Sequence, residues 1–160
     1  MNPRESVSTP ELPWVPLRTG MWMRPLCFLD DGYSLQLRVA PGTRTGPHRH
    51  TGAVDALMLS GQRRIFTTGE LLGPGDFIHE PPGNEDEWGC VGDQECVVMI
   101  TLKGRVEYLL ANGDVDHHTD TWPAQAADLA HCARTGLAPV AALFRGSGPS
   151  SRLVSEGLPS

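Results

Sequence analysis

The feature that most constrains this chain is a series of turn-forming dipeptides set roughly ten residues apart. They are Asp31-Gly32, Pro41-Gly42, Ser60-Gly61, Pro74-Gly75, Pro82-Gly83, Lys103-Gly104 and Asn112-Gly113. Each supplies a residue that fixes φ or tolerates positive φ. Between and around them lie short apolar runs: Met21 to Phe28, Tyr33 to Val39, Val54 to Leu59, Arg63 to Thr67, Phe77 to Glu80, Cys96 to Leu102 and Val106 to Leu110. Evenly spaced short strands close into a sandwich or a barrel. Leu35, Leu37 and Val39 alternate with Ser34, Gln36 and Arg38, the period-two pattern of a strand covered on one face.

The strand signal stops before Asp120-Thr121, which can cap a helix. Trp122, Ala126, Leu129, Ala130 and Ala133 then recur at helical spacing, and Gly136 can end the segment, so one amphipathic helix over 122–135 is predicted to close the domain. The expected organisation is a polar N-terminal arm over 1–12, a single all-β domain with its helix over 13–136, and an extension over 137–160 that is flexible from about 146.

Charge narrows the partners. With 13 Lys+Arg against 19 Asp+Glu, the chain lacks the positive surplus that nucleic-acid or anionic-membrane binding requires, so neither is expected. No apolar run reaches the length of a membrane span and Met-Asn-Pro-Arg-Glu-Ser is no signal core, so a cytoplasmic protein is expected. Cys27, Cys90, Cys96 and Cys132 form no C-x-x-C pair and read as small buried hydrophobes that stay reduced.

Two stretches carry chemistry. Pro41-Gly-Thr-Arg-Thr-Gly-Pro-His48-Arg-His50 leads into a strand ending at Gly61. Two His at spacing two on a strand point to one face, where both imidazoles can reach one metal. The second stretch runs from Gly75 through Pro81 and Gly83 to Asp86. Gly42, His48, His50, Gly61, Gly75, Pro81 and Gly83 fall on the fixed positions of the cupin motifs G-x5-H-x-H-x3,4-E-x6-G and G-x5-P-x-G-x2-H. The chain therefore resembles the cupins, and HRHTGAV followed by EPPG resembles the 2,4'-dihydroxyacetophenone dioxygenase-like group.

That resemblance implies a cupin jelly-roll barrel (a double-stranded β-helix), a homodimer, and a mononuclear metal, Fe(II) foremost, with Zn, Mn, Ni or no metal as alternatives. In the group, iron sits on the two H-x-H imidazoles, a third His and a Glu. His48 and His50 carry over, whereas Asp86 stands at the third-His position. Two His with one carboxylate form the facial set of non-haem Fe(II) oxygenases, so His48, His50 and Asp86 are the expected metal ligands; a solvated acidic turn, and a changed loop path that presents Glu85 or Glu87 instead, are the alternatives. The Glu position falls on Val54 counted from Gly61 and on Asp55 counted from His50. In the dioxygenase-like group it comes from the next strand, at Thr67 or Thr68, with Glu70 in reach only if the hairpin shifts.

His79, on the strand leading to Asp86, is expected to face the barrel interior as a proton-transfer group or to be a partly buried structural residue. Of Arg63 and Arg64, which point to opposite faces, Arg63 is the candidate to hold an anionic group of a small-molecule substrate, with a solvated Arg as the default. His117 and His118 read as surface residues, and Trp88, Met58, Phe66 and Met99 as cavity lining or plain core. The resemblance implies a metal-dependent oxygenase acting on a hydroxyketone or dicarbonyl compound. A non-oxidative isomerase, cyclase or dehydratase and a small-molecule sensor are the competing classes.

Overall fold

The computed structural model describes residues 5–147. In chain order the strands are β1 (Val15–Arg18), β2 (Met21–Leu29), β3 (Gly32–Val39), β4 (His48–His50), β5 (Val54–Ser60), β6 (Gln62–Ile65) and β7 (Leu71–Leu72). There follow β8 (Phe77–Glu80), β9 (Glu85–Asp86), β10 (Trp88–Val91), β11 (Cys96–Lys103), β12 (Val106–Leu109) and β13 (Val115–Thr119). The helix α1 (Thr121–Thr135) comes last among the regular elements, before a short 3-10 turn at Ala141–Leu143.

The turn dipeptides do what their chemistry dictates. Gly61, between β5 and β6, holds φ at 68°, and a Cβ there would lie 2.3 Å from the Glu95 carbonyl oxygen, so only glycine fits this corner. The apolar runs become strands in an all-β jelly roll with one helix, as the sequence leads one to expect. A six-stranded sheet has the order β1-β2-β3-β11-β5-β8, and three- and four-stranded sheets, β10-β6-β7 and β13-β12-β4-β9, complete the architecture. Every pairing between named strands is antiparallel.

Alternation decides which side chains go inward. On β5, Val54, Ala56 and Met58 are buried while Asp55, Leu57 and Leu59 are exposed. Two apolar clusters fill the interior, one around Met23, Phe28, Leu102 and Phe144, the other around Val39, Met58, Trp88 and Val98. Phe144 and Leu143 belong to the first cluster, so the extension after the helix contributes core; the remainder of the expected flexible tail, 148–160, lies outside the described residues. Leu12, at the end of the expected arm, is buried as well.

The helix forms where predicted. The Asp120 carboxylate accepts from the Trp122 backbone N–H at 2.9 Å, and Gly136 ends the helix at φ 71°. Its buried face differs from the expected one. Thr121, Ala124, Gln125, Asp128 and Cys132 point inward, whereas Trp122, Ala126, Ala130 and Ala133 are exposed. Alanine can sit on either face, so a stripe made largely of alanines does not fix rotation, and the inward Ala124 and Ala127 let the helix approach the interior closely.

Candidate functional site

Strand β4 sits between β12 and β9, with Tyr108 and Asp86 opposite His48 on either side. Its period-two geometry turns His48 and His50 inward, 5% and 7% exposed, and Arg49 outward, where Glu107 clamps it at 2.6 and 3.0 Å. The two imidazoles meet edge to face with centroids 4.9 Å apart. His48 Nδ1 donates to the Gly46 carbonyl at 2.9 Å, which fixes the tautomer and leaves Nε2 as the free nitrogen. His50 Nδ1 is buried without a partner. Burial, reinforced by His48 and Arg63, pushes the pKa of His50 down to about 4, so its ring is uncharged at neutral pH.

The carboxylate closest to this pair was not among the residues picked out from sequence. Glu80, the last residue of β8, is buried and lies with Oε2 3.5 Å from His50 Nε2. The Asn84 amide donates to the same oxygen at 3.1 Å. Burial and the neighbouring Asp86 raise the Glu80 pKa, opposed by the Asn84 hydrogen bond and by Arg63. Glu80 pairs across the ladder with Val54, the position at which the cupin pattern counted from Gly61 places its glutamate. The carboxylate thus reaches the interior from the neighbouring strand.

Asp86 is buried opposite His48, but its Oδ1 accepts from the Glu87 backbone N–H at 2.6 Å and from Thr67 Oγ1 at 3.4 Å, and it does not line the cavity. Thr67 therefore supports this carboxylate. Thr68 Oγ1 accepts from the Glu70 backbone N–H in an exposed turn, Glu85 pairs with Arg49, and Glu87 pairs with Arg44. The expectation that His79 faces the interior does not hold. Glu80 points inward, so its neighbour points outward, and His79 Nδ1 bonds Asp55 Oδ1 at 2.8 Å with more than half of each side chain exposed. Ile78 could have signalled this parity, since it is the apolar residue that shares a face with Glu80; the equally apolar but 63% exposed Phe77 masked it.

Arg63 enters the interior and Arg64 stays outside. The Arg63 side chain is 2% exposed, stacks on Trp88 with its guanidinium carbon 5.0 Å from the ring centroid, and leaves Nε and Nη2 without hydrogen-bond partners. Met58 is core, Phe66 is surface beneath the Arg44 guanidinium, and Met99 faces away from the interior.

His48, His50, Arg63 and Glu80 line a cavity of about 580 Å³, a size suited to a small organic molecule. Met21, Met23, Leu35, Leu37 and Ile100 form much of its apolar wall, and Ala124 and Ala127 of α1 contribute to it. The lining residues Arg18, Arg44 and His117 are solvent-exposed and mark its open end. His117, read from sequence as surface, is both exposed and stacked on Tyr108 at 4.5 Å.

Among the described residues no group of three His, Cys, Asp or Glu side chains is gathered as a metal site. The side chains brought together are two inward imidazoles, one of them anchored through its other nitrogen to a carbonyl, beside a buried carboxylate.

No curated protein matches the chain by sequence. Among solved structures, an RmlC-like cupin protein from Ralstonia eutropha superposes with TM-score 0.80 at 15% identity, covering 85% of this chain and 91% of its own. An acetylacetone dioxygenase from Acinetobacter johnsonii gives 0.69 at 17% identity, covering 81% and 93%. The polyketide cyclase RemF from Streptomyces resistomycificus gives 0.56 at 18% identity, covering 73% and 84%. At these identities the likeness establishes the fold. The sequence profile of the ChrR cupin-like domain matches residues 2–107, well over half of the chain, and with the barrel and its inward H-x-H pair described, the chain belongs to that cupin family.

Proposed function

We propose that the cavity is the active site of a metal-dependent cupin oxygenase acting on a small hydroxyketone or dicarbonyl compound. The observation that carries this reading is the inward pair His48 and His50 at the cavity wall, with Glu80 Oε2 3.5 Å from His50 Nε2. His48, His50 and Glu80 would hold a divalent metal, Fe(II) for this reaction. Such a metal supplies Lewis acidity toward a chelating pair of substrate oxygens and a position for O2.

The chain's own groups prepare that chemistry. The Gly46 carbonyl presents His48 through Nε2, burial keeps His50 unprotonated, and Asn84 fixes the Glu80 carboxylate. The apolar wall excludes water from the reacting centre. The fold shared with an acetylacetone dioxygenase supports the reading. Its test is metal analysis of the purified protein, followed by substrate-dependent O2 uptake when air is admitted to the Fe(II)-loaded protein with a hydroxyketone or β-dicarbonyl. Near-stoichiometric metal that His48→Ala loses is the expected result; unchanged metal in that variant would falsify the site.

One observation favours a second reading. Glu80 with a raised pKa beside an uncharged His50 is also an acid–base pair suited to non-oxidative isomerisation, cyclisation or dehydration. The fold shared with a polyketide cyclase accords with it. Product formation at equal rate without O2 selects this reading over the first.

A further inference from the structure

The least explained group in the cavity is Arg63. A guanidinium 2% exposed has lost its hydration, and such a group is ordinarily paired, because an uncompensated buried charge is strongly destabilising. Arg63 makes no hydrogen bond and no ion pair among the described residues, and its Nε and Nη2 are buried without partners. The two acids near it act on its charge through space, but neither hydrogen-bonds it. Glu80 Oε2 takes the Asn84 amide at 3.1 Å, and Asp86 Oδ1 takes the Glu87 N–H at 2.6 Å. Trp88 beneath the guanidinium offers a flat stacking surface and no acceptor.

The charge of the cavity differs in sign from that of the chain. Net charge is −6 overall, yet the cavity is lined by Arg18, Arg44 and Arg63 against Glu80 as its one acidic residue. Arg44 is neutralised by Glu87 at 2.7 Å; Arg18, at the open end, donates to the Arg44 carbonyl oxygen and pairs with no acid among the described residues. With Glu80 offsetting one charge in the wall, the unpaired Arg18 at the entrance leaves the cavity net positive, which favours the entry of an anion over a neutral molecule of the same shape.

We infer that the cavity recognises a substrate carrying a carboxylate, which is held by Arg63 while an apolar body lies against the wall formed by Met21, Met23, Leu35, Leu37 and Ile100. This rests on the proposed function only in taking the cavity as the substrate site. Arg63 is here a binding residue that selects by charge and takes no part in oxygen chemistry. The planar guanidinium suits a carboxylate because two N–H groups can donate in parallel.

The test is calorimetric titration of the protein as purified, under argon, with benzoylacetate and with its methyl ester, a near-isosteric pair differing in charge. Wild type is expected to bind benzoylacetate about tenfold or more tightly than the ester, the difference a desolvated charge-assisted contact provides. Arg63→Met is expected to bring the two within about twofold with the ester affinity little changed, and Arg63→Lys to keep part of the preference. Equal affinities in wild type, no benzoylacetate binding at millimolar concentration, or a preference that survives in Arg63→Met overturns the inference. Should Arg63→Met fail to melt cooperatively, Arg63→Lys decides: a preference undiminished by loss of the fork overturns the inference. Binding is read without turnover, so failure of O2 uptake would remove the oxygenase reading and leave this result standing, and the converse holds equally.

Discussion

Two histidine–carboxylate pairs flank the same strand. On the inner face of β8, Glu80 lies 3.5 Å from His50 with both residues buried; on the outer face, His79 bonds Asp55 at 2.8 Å with both exposed. By distance alone the outer pair is the stronger contact. Burial reverses that ranking. Water screens the outer pair, whose net contribution is of the order of a surface salt bridge, whereas desolvation holds His50 uncharged and raises Glu80. The difference teaches that the strand's two-residue period, more than the identity of the residues, separates a buried pair with shifted protonation from a solvated one.

The largest expected effect comes from breaking the inner pair. Glu80→Gln keeps volume and removes the charge, and is expected to lower turnover of the hydroxyketone or β-dicarbonyl that supports O2 uptake about a thousandfold, near 4 kcal/mol in the barrier. Asp55→Asn, the matching change outside, should leave turnover within about twofold. Equal losses from both, in steady-state kinetics, would erase the distinction between the faces.

A second effect is thermodynamic and concerns the sign of the pH dependence. The pKa of His50 falls from 6.5 unfolded to about 4 folded, so between those values the unfolded chain holds more protons. This contribution to stability is complete above pH 6.5 and is lost as pH falls toward 4, by up to about 3 kcal/mol. Asp128, buried on the inward face of α1, runs the other way. Desolvation raises its pKa from 3.8 to about 6, so its contribution is complete below pH 3.8 and lost as pH rises through 6. Asp128→Asn is therefore expected to match wild type in melting temperature near pH 4 and to exceed it by several degrees at pH 7, about 2 kcal/mol. With chelator present to keep metal away, the melting curve of that variant should also climb more steeply than wild type between pH 4 and 6. A constant offset at every pH would mean that Asp128 is not the group responsible.

The smallest effect sharpens the comparison from outside. His79→Gln is expected to change stability by less than about 0.5 kcal/mol in urea unfolding, and to leave metal content unaltered. A metal loss there would show that the outer pair communicates with the interior.

The parts of this arrangement that the sequence revealed are the local ones. Turn dipeptides marked the corners, His48-Arg49-His50 declared its own inward pair through spacing, and Asp120 with Gly136 bracketed the helix, because each depends on a few consecutive residues. The parts it hid depend on pairing between distant segments. Nothing between Phe77 and Pro81 states that Glu80 faces Val54, and the direction of the Asp86 carboxylate is set by Thr67 and the Glu87 amide rather than by its motif position. Arg63 lay between: alternation set Arg63 and Arg64 on opposite faces, and the packed barrel turned the candidate Arg63 inward.

The Val54–Glu80 ladder pair has a consequence for how such sites change over time. Two residues that face each other across an antiparallel ladder project onto nearly one point in space, so a single functional group has two addresses in the gene. A carboxylate can be lost at one and regained at the other while the interior sees little difference. Exchanging the two residues, Val54→Glu together with Glu80→Val, would move the group across the seam and return the chain to the spacing from which a motif scan would have found it.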